Sequence, residues 1–283
     1  MVIILVPITT FSEDDELSSL FFDKTNSRFS IPVIQVTRTV ANEILNALDH
    51  TVEKLEAEIM EQNAGLNLGV PATVSTTVNV ELKETSTQNV VAMLPGNDDS
   101  LKNEYVVVGA HFDHLGMGGP GSNSRMPDTL AIHNGSDDNA SGVAAVLEIG
   151  ERLRSKQSEL KRSVLLMAFD AEERGLLGSR FFIDNPFIKH ENIVAMFNLD
   201  MVGHLEEYML TIGGTGTSPL FEDLLTDIGN SHDLNLKFSS EGYGPSDHAS
   251  FYKKDIPVLF FFTGTHDDYH KPTDDFFIIN LQG

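Results

Sequence analysis

The sequence predicts an α/β protein: a mostly parallel, mixed central sheet with helices on both faces, preceded by a small partial α+β piece. Two observations carry this. Residues 105–110, 164–169, 193–199 and 256–262 are apolar at nearly every position, so strands built from them bury both faces. Between these runs lie stretches near 143–153, 176–182 and 220–228 whose apolar residues recur at helical spacing, and such alternation is the pattern of a sheet covered on both sides.

The elements follow in order. Residues 2–6 read as a buried strand, and residues 29–36 as a second, with Pro32 suited to a strand start or edge. From Val40 the apolar residues Ile44, Leu48, Val52, Leu55 and Ile59 recur every three or four positions, which predicts one amphipathic helix. Gly65 and Gly69 are expected to end it, and Pro71 to mark a connection. Val74, Thr76, Val78, Val80 and Leu82 alternate with polar residues as a one-faced strand. Residues 88–94 give another, and residues 95–99 (PGNDD) a turn. A boundary falls near residues 75 to 85, giving a leading piece over 1–75 and an α/β domain over 76–283.

Composition bounds the function. The chain has 283 residues, 41% hydrophobic and 22% charged, the balance of a soluble globular protein. Nineteen basic against 42 acidic side chains give a net charge of -23, which argues against nucleic acid or anionic membrane as a partner. With no cysteine, any metal must be held by His, Asp or Glu. No apolar run approaches the roughly 20 residues of a membrane span.

In open α/β sheets, ligands bind beyond the carboxyl ends of the strands. Each predicted strand end carries His, Asp or Glu: His111, Asp113 and His114 after the first, Asp170, Glu172 and Glu173 after the second, Asp200 after the third, and His266 to His270 after the last. The loop 135–142 (GSDDNASG) adds Asp137 and Asp138 before a helix. Taken singly, each is a common structural feature. Asp-Asp-Asn before a helix is a capping turn, and Glu172-Glu173 is a carboxylate pair favoured by a helix dipole. Taken together they point to a metal site of imidazole and carboxylate, suited to zinc, then cobalt or manganese. Two imidazoles and three carboxylates exceed what one tetrahedral zinc needs. A pair of metals sharing a carboxylate would use them all.

The motifs HFDHLG (111–116), NGSDDNASG (134–142), FDAEERGLLGS (169–179), NLDMVG (198–203), GPSDHASF (244–251) and DYHKPTD (268–274) resemble those of the di-zinc exopeptidase family of the bacterial leucyl aminopeptidases and glutamate carboxypeptidase II. The resemblance spans about residues 75–283; residues 30–38 (SIPVIQVTR) and the helix after them more faintly resemble the end of a protease-associated domain. It implies a zinc-exopeptidase-like fold and a metal-dependent exopeptidase, an aminopeptidase first, acting on peptides or small proteins with two zinc ions. It implies His111, Asp137 and Asp200 around one zinc, and Asp137, Glu173 and His270 around the other. Glu172 would be the general base, Asp113 would orient His111, and Tyr269 would donate to the oxyanion. The peptide between Asp137 and Asp138 is expected to be cis, with Asp138 placing its neighbour.

Asp247, Asp267, Asp268 and Asp274 are expected as caps, turns or supporting groups. None of His114, His133, His204, His248 and His266 is expected as a primary ligand, and Phe260 to Phe262 is expected as core strand. The resemblance also implies an extracytoplasmic setting and a fragment of a longer precursor, truncated at its C-terminus and unstable through uncovered apolar surface. An inert binding module on the same fold, like the transferrin receptor ectodomain, and a single-zinc cyclotransferase resembling glutaminyl cyclase are the alternatives.

Overall fold

The computed structural model describes residues 3–7, 15–17, 33–66, 69, 75, 85–206, 209–232 and 234–281. The chain divides into two units, Met1–Glu84 and Thr85–Gly283. In the leading unit, β1 (Ile3–Leu5) pairs in parallel with β2 (Val33–Gln35). The residues of β1 are exposed rather than buried. The single helix expected from Val40 to Ile59 is two, α1 (Arg38–Leu45) and α2 (Val52–Gln62). Asp49 takes a left-handed conformation (φ 54) after a short 3-10 turn, and Thr51 restarts the helix by accepting from the Lys54 amide at 3.3 Å. Left-handed Asn63, not Gly65, closes α2. The strand expected over Val74 to Leu82 lies outside the described residues.

The second unit holds a seven-stranded sheet: β3 (Val90–Leu94), β4 (Tyr105–His111), β5 (Ser163–Phe169), β6 (Ile193–Leu199), β7 (Met209–Gly213), β8 (Asn235–Phe238) and β9 (Val258–Phe262), in spatial order β3-β5-β4-β6-β9-β7-β8. The four central strands β5-β4-β6-β9 are mutually parallel, while β3 and β7 join antiparallel to β5 and β9. The parallel four are the apolar runs of the sequence. Strands β7 and β8 lie toward one edge of the sheet, and their short, mixed sequences did not announce them.

Alternation along the strands divides the core in two. Val107, Leu165, Met167, Phe169, Met196 and Val258 pack with Phe182 and Ile183 of α4 (Leu177–Asp184) and Phe251 of α6 (His248–Tyr252). Val108, Ala110, Val164 and Leu199 face Val146 of α3 (Gly142–Ser155). On that side too, Phe221 and Leu225 of α5 (Phe221–Ser231) cover Ala195 and Leu259. The register aligns His111 with Phe169 and Leu199 with Phe261, so the carboxyl ends of β4, β5, β6 and β9 finish at one level. Whatever follows those strands is gathered at one rim.

Candidate metal centre

His111 closes β4 and is 1% exposed. Its Nδ1 lies 3.1 Å from the Asp113 carbonyl oxygen. A ring nitrogen facing a carbonyl must carry the proton, so the neutral ring keeps its lone pair on Nε2. That Nε2 stands 3.2 Å from Asp138 Oδ1 and 3.6 Å from Asp200 Oδ1. Asp200 is the first residue after β6 and its amide donates to the Phe261 carbonyl at 3.2 Å.

A second group sits on the other oxygen of the same aspartate. His270 Nε2 is 3.2 Å from Asp138 Oδ2 and 3.4 Å from Glu173 Oε2. The His270 Nδ1 faces the Asn123 carbonyl at 3.0 Å, which again fixes the proton away from the cluster. His114 Nδ1 lies 2.8 Å from Glu173 Oε1.

The aspartate between the two groups is Asp138, which corrects the expectation of Asp137. Asp274, fully buried, accepts the amides of both residues, at 2.8 Å from Asp137 and 3.1 Å from Asp138. With the backbone clamped, the two side chains go to different places. The Asp137 carboxylate accepts from the Gly203 amide at 2.7 Å and lies 3.3 Å from His266 Nε2. Asn139 completes the loop: its Nδ2 donates to the Leu199 carbonyl, while its Oδ1 accepts the amides of Gly142 and Met201. The cis peptide is Asp138-Asn139, one residue later than expected. Loop residues have no fixed side-chain period, so the sequence alone could not choose between adjacent aspartates.

Asp113 holds the neighbouring loop as well as His111. Its carboxylate accepts the amides of Glu172 and Glu173 at 2.9 and 3.2 Å, while Oδ1 is 3.6 Å from His111 Nδ1. Glu172 lines a cavity of about 510 Å³ together with His111, Asp138, Glu173, Asp200 and His270. Tyr269 also lines it, its ring stacked on His270 at 3.9 Å. Phe260 and Phe262 line it too. This corrects their assignment to pure core: alternation turns these two toward the cavity and Phe261 toward the α5 side.

Burial pushes the Glu172 carboxyl up to about 9, and the charges of Asp247, Asp200 and Glu173 add to this against the pull of His111. Burial disfavours the charge on Asp138, yet the flanking imidazoles of His111 and His270, when protonated, outweigh it and hold the carboxyl well below its usual range. Burial likewise opposes charge on His111, and Asp113, Asp138 and Asp200 raise it regardless. Asp247, fully buried before α6, makes no side-chain capping hydrogen bond and is pushed by burial to about 7.

The donor set fits hard or borderline divalent cations. His111, Asp138 and Asp200 present ligand atoms within 4.8 Å of one another, and so do His114, Asp138 and Glu173. Oxygen and imidazole donors with no thiolate suit zinc, cobalt or manganese.

The sequence profile of Peptidase family M28 matches residues 89–283, most of the chain and every residue of this centre. The chain belongs to peptidase family M28. Among proteins that this M28 chain resembles, leupeptin-inactivating enzyme 1 of Streptomyces exfoliatus is 29% identical over 185 residues, covering 65% of this chain and 37% of that protein. A probable leucine aminopeptidase of Trichophyton verrucosum is 31% identical over 179 residues, covering 61% and 45%. The structure of a zinc aminopeptidase from Bacillus subtilis superposes with a TM-score of 0.54 at 25% identity, covering 68% of the M28 chain and 45% of the other. The chain thus spans less than half the length of these relatives. The superposition supports the α/β zinc-exopeptidase-like fold, and no helix among the described residues is long and apolar enough to cross a membrane.

Proposed function

We propose that this M28 chain carries the catalytic centre of a two-metal aminopeptidase. One observation carries the reading: the two oxygens of Asp138 face separate imidazole–carboxylate pairs, Oδ1 toward His111 and Asp200, Oδ2 toward His270 and Glu173. In this reading Asp138 would be the shared ligand, His111 and Asp200 would complete one site, and Glu173 and His270 would complete the other. Divalent cations at paired sites of this kind polarise a carbonyl and lower the pKa of a water toward about 7.

The remaining work falls to the chain's own residues. Glu172 belongs to neither ligand group and lines the same cavity, which suits it to take a proton from water and return it to the departing amine. Its carboxyl, raised by burial, ionises more readily when cationic charge is held at the neighbouring ligands. Asp113 positions Glu172 and Glu173 through their amides. Tyr269 lines the same cavity, which suits its hydroxyl to donate to an oxyanion that develops there.

The lining favours an amino-terminal substrate. Among the described residues that line the cavity there is no Lys or Arg to receive a substrate carboxylate, and its acidic lining suits an ammonium. Phe260, Phe262 and Leu176 offer an apolar wall for a hydrophobic side chain.

The test joins metal analysis with hydrolysis of leucyl anilide. Two metals per chain and hydrolysis are expected, with Glu172→Gln keeping its metal while kcat falls by about 10²–10⁴. Full loading without hydrolysis of any amino- or carboxyl-terminal substrate would refute the peptidase reading and favour an inert module. A single bound metal would favour the cyclotransferase chemistry.

A further inference from the structure

Among the groups that this mechanism leaves unused, one touches the centre directly. His114 lies on the segment between β4 and the aspartate loop, with its side chain 9% exposed. Its Nδ1 is 2.8 Å from Glu173 Oε1 and 3.9 Å from Asp138 Oδ2. The ring meets His270 edge-on, with centroids 5.9 Å apart. The two imidazoles therefore hold opposite oxygens of one carboxylate, His270 near Oε2 and His114 near Oε1.

The surrounding loop is shaped to admit this ring. Gly135 has φ 61, and a Cβ there would come 2.7 Å from His114 Cδ2. On the other side stands the His133 ring, 6.4 Å away and held by the Ser124 hydroxyl at 2.8 Å and the Ala131 carbonyl at 3.0 Å. A side chain at position 135 would both strain the backbone and push the imidazole off Glu173.

Two roles are open to an imidazole so placed, and the distances separate them. A nitrogen 2.8 Å from a carboxylate oxygen is at hydrogen-bonding distance, and facing an ionised carboxylate it must carry the proton. A protonated nitrogen has no lone pair for a metal.

We propose that His114 is a positioning residue: its Nδ1–H ties down Glu173 Oε1, so that Glu173 offers Oε2 alone to the metal shared with Asp138 and His270. The proposal rests on the two-metal reading and adds to it a residue that the ligand pattern does not include. Supporting hydrogen bonds to carboxylate ligands are worth roughly 10–100-fold in metal affinity, and that is the effect expected here, confined to one of the two sites.

The experiment compares wild type, His114→Phe and His114→Asn by titrating the metal-free protein with cobalt(II), following its visible absorption and competing with a chelator. The Asn amide nitrogen can overlay Nδ1 and donate the same bond. His114→Phe should keep one site and bind the second about 10–100-fold more weakly, and His114→Asn should recover most of the loss with a wild-type spectrum. Unchanged affinity in His114→Phe would overturn the proposal. So would a His114→Asn protein as weak as His114→Phe with an altered cobalt spectrum, because His114 would then be a ligand itself.

A measurement without metal separates this proposal from the reading beneath it. The wild type should show a downfield imidazole N–H resonance that disappears in His114→Phe and shifts in Glu173→Gln. If that resonance is present but fewer than two metals bind, the two-metal reading falls and the contact stands. If two metals bind and the resonance is absent, the positioning role falls.

Discussion

Removing the imidazole of His248 should change how stability depends on pH by a predictable amount. His248 is 1% exposed, its ring is stacked on Phe260 at 4.4 Å, and its Nδ1 has no hydrogen-bond partner among the described residues. Burial pushes its pKa down to about 4, against a smaller upward pull from Asp200. The unfolded chain binds that proton near 6.5, whereas the fold does not until about 4. Between those values the unfolded state holds more protons, so stability rises with pH there. The contribution is fully present above about 6.5 and is lost as pH falls to about 4. At 1.36 kcal/mol per pH unit the gap amounts to roughly 3 kcal/mol. His248→Leu has a similar volume and cannot titrate, and losing the stacked ring should cost about 0.5–1.5 kcal/mol at pH 7. Urea unfolding of both proteins at pH 7, 6, 5 and 4 measures the difference directly, since acid effects elsewhere are common to both. The difference should move by roughly 3 kcal/mol in favour of His248→Leu as pH falls to 4. A difference that stays flat would show that His248 is not buried in its neutral form.

The two aspartates of the loop should separate in a metal-binding assay. Asp138→Asn removes the charge that both ligand groups share and should weaken metal binding by at least about 100-fold, whereas Asp137→Asn, which acts at a distance, should stay within about 10-fold. Equal losses in chelator competition would mean that the bridge is not Asp138 alone. Gly142→Ala should destabilise the chain by about 1–3 kcal/mol, because the new Cβ would lie 2.3 Å from Asn139 Oδ1 and 2.5 Å from the Leu199 carbonyl oxygen. A urea midpoint equal to that of the wild type would show that the aspartate loop has room to shift.

Much of the centre was legible in the sequence because its parts sit at strand ends. His111, Glu173, Asp200 and His270 each lie at or beyond the carboxyl end of an apolar run, and the parallel register brings those ends to one rim. Position along the chain narrowed the candidates to these residues and their neighbours, and the family resemblance implied the four. Position failed for the loop between strands, where Asp137 and Asp138 share composition and surroundings in sequence. There the choice came from Asp274, more than 130 residues away, whose carboxylate holds both amides.

The same division applies to the fold. Hydrophobic patterning by itself determined the four parallel strands and the helices between them, since burial on two faces demands continuous apolar runs, and the residues after each run gave the rim its acidic, imidazole-rich character. It did not determine where the helix after Val40 breaks, because that turns on the left-handed Asp49 and the restart at Thr51. Nor could it reveal that Phe260 and Phe262 face the cavity, or that His114 reaches Glu173 across 59 residues of chain. Local pattern sets which face of an element is apolar. Which side chains meet across distant loops is decided only when the packed sheet brings them within hydrogen-bonding distance.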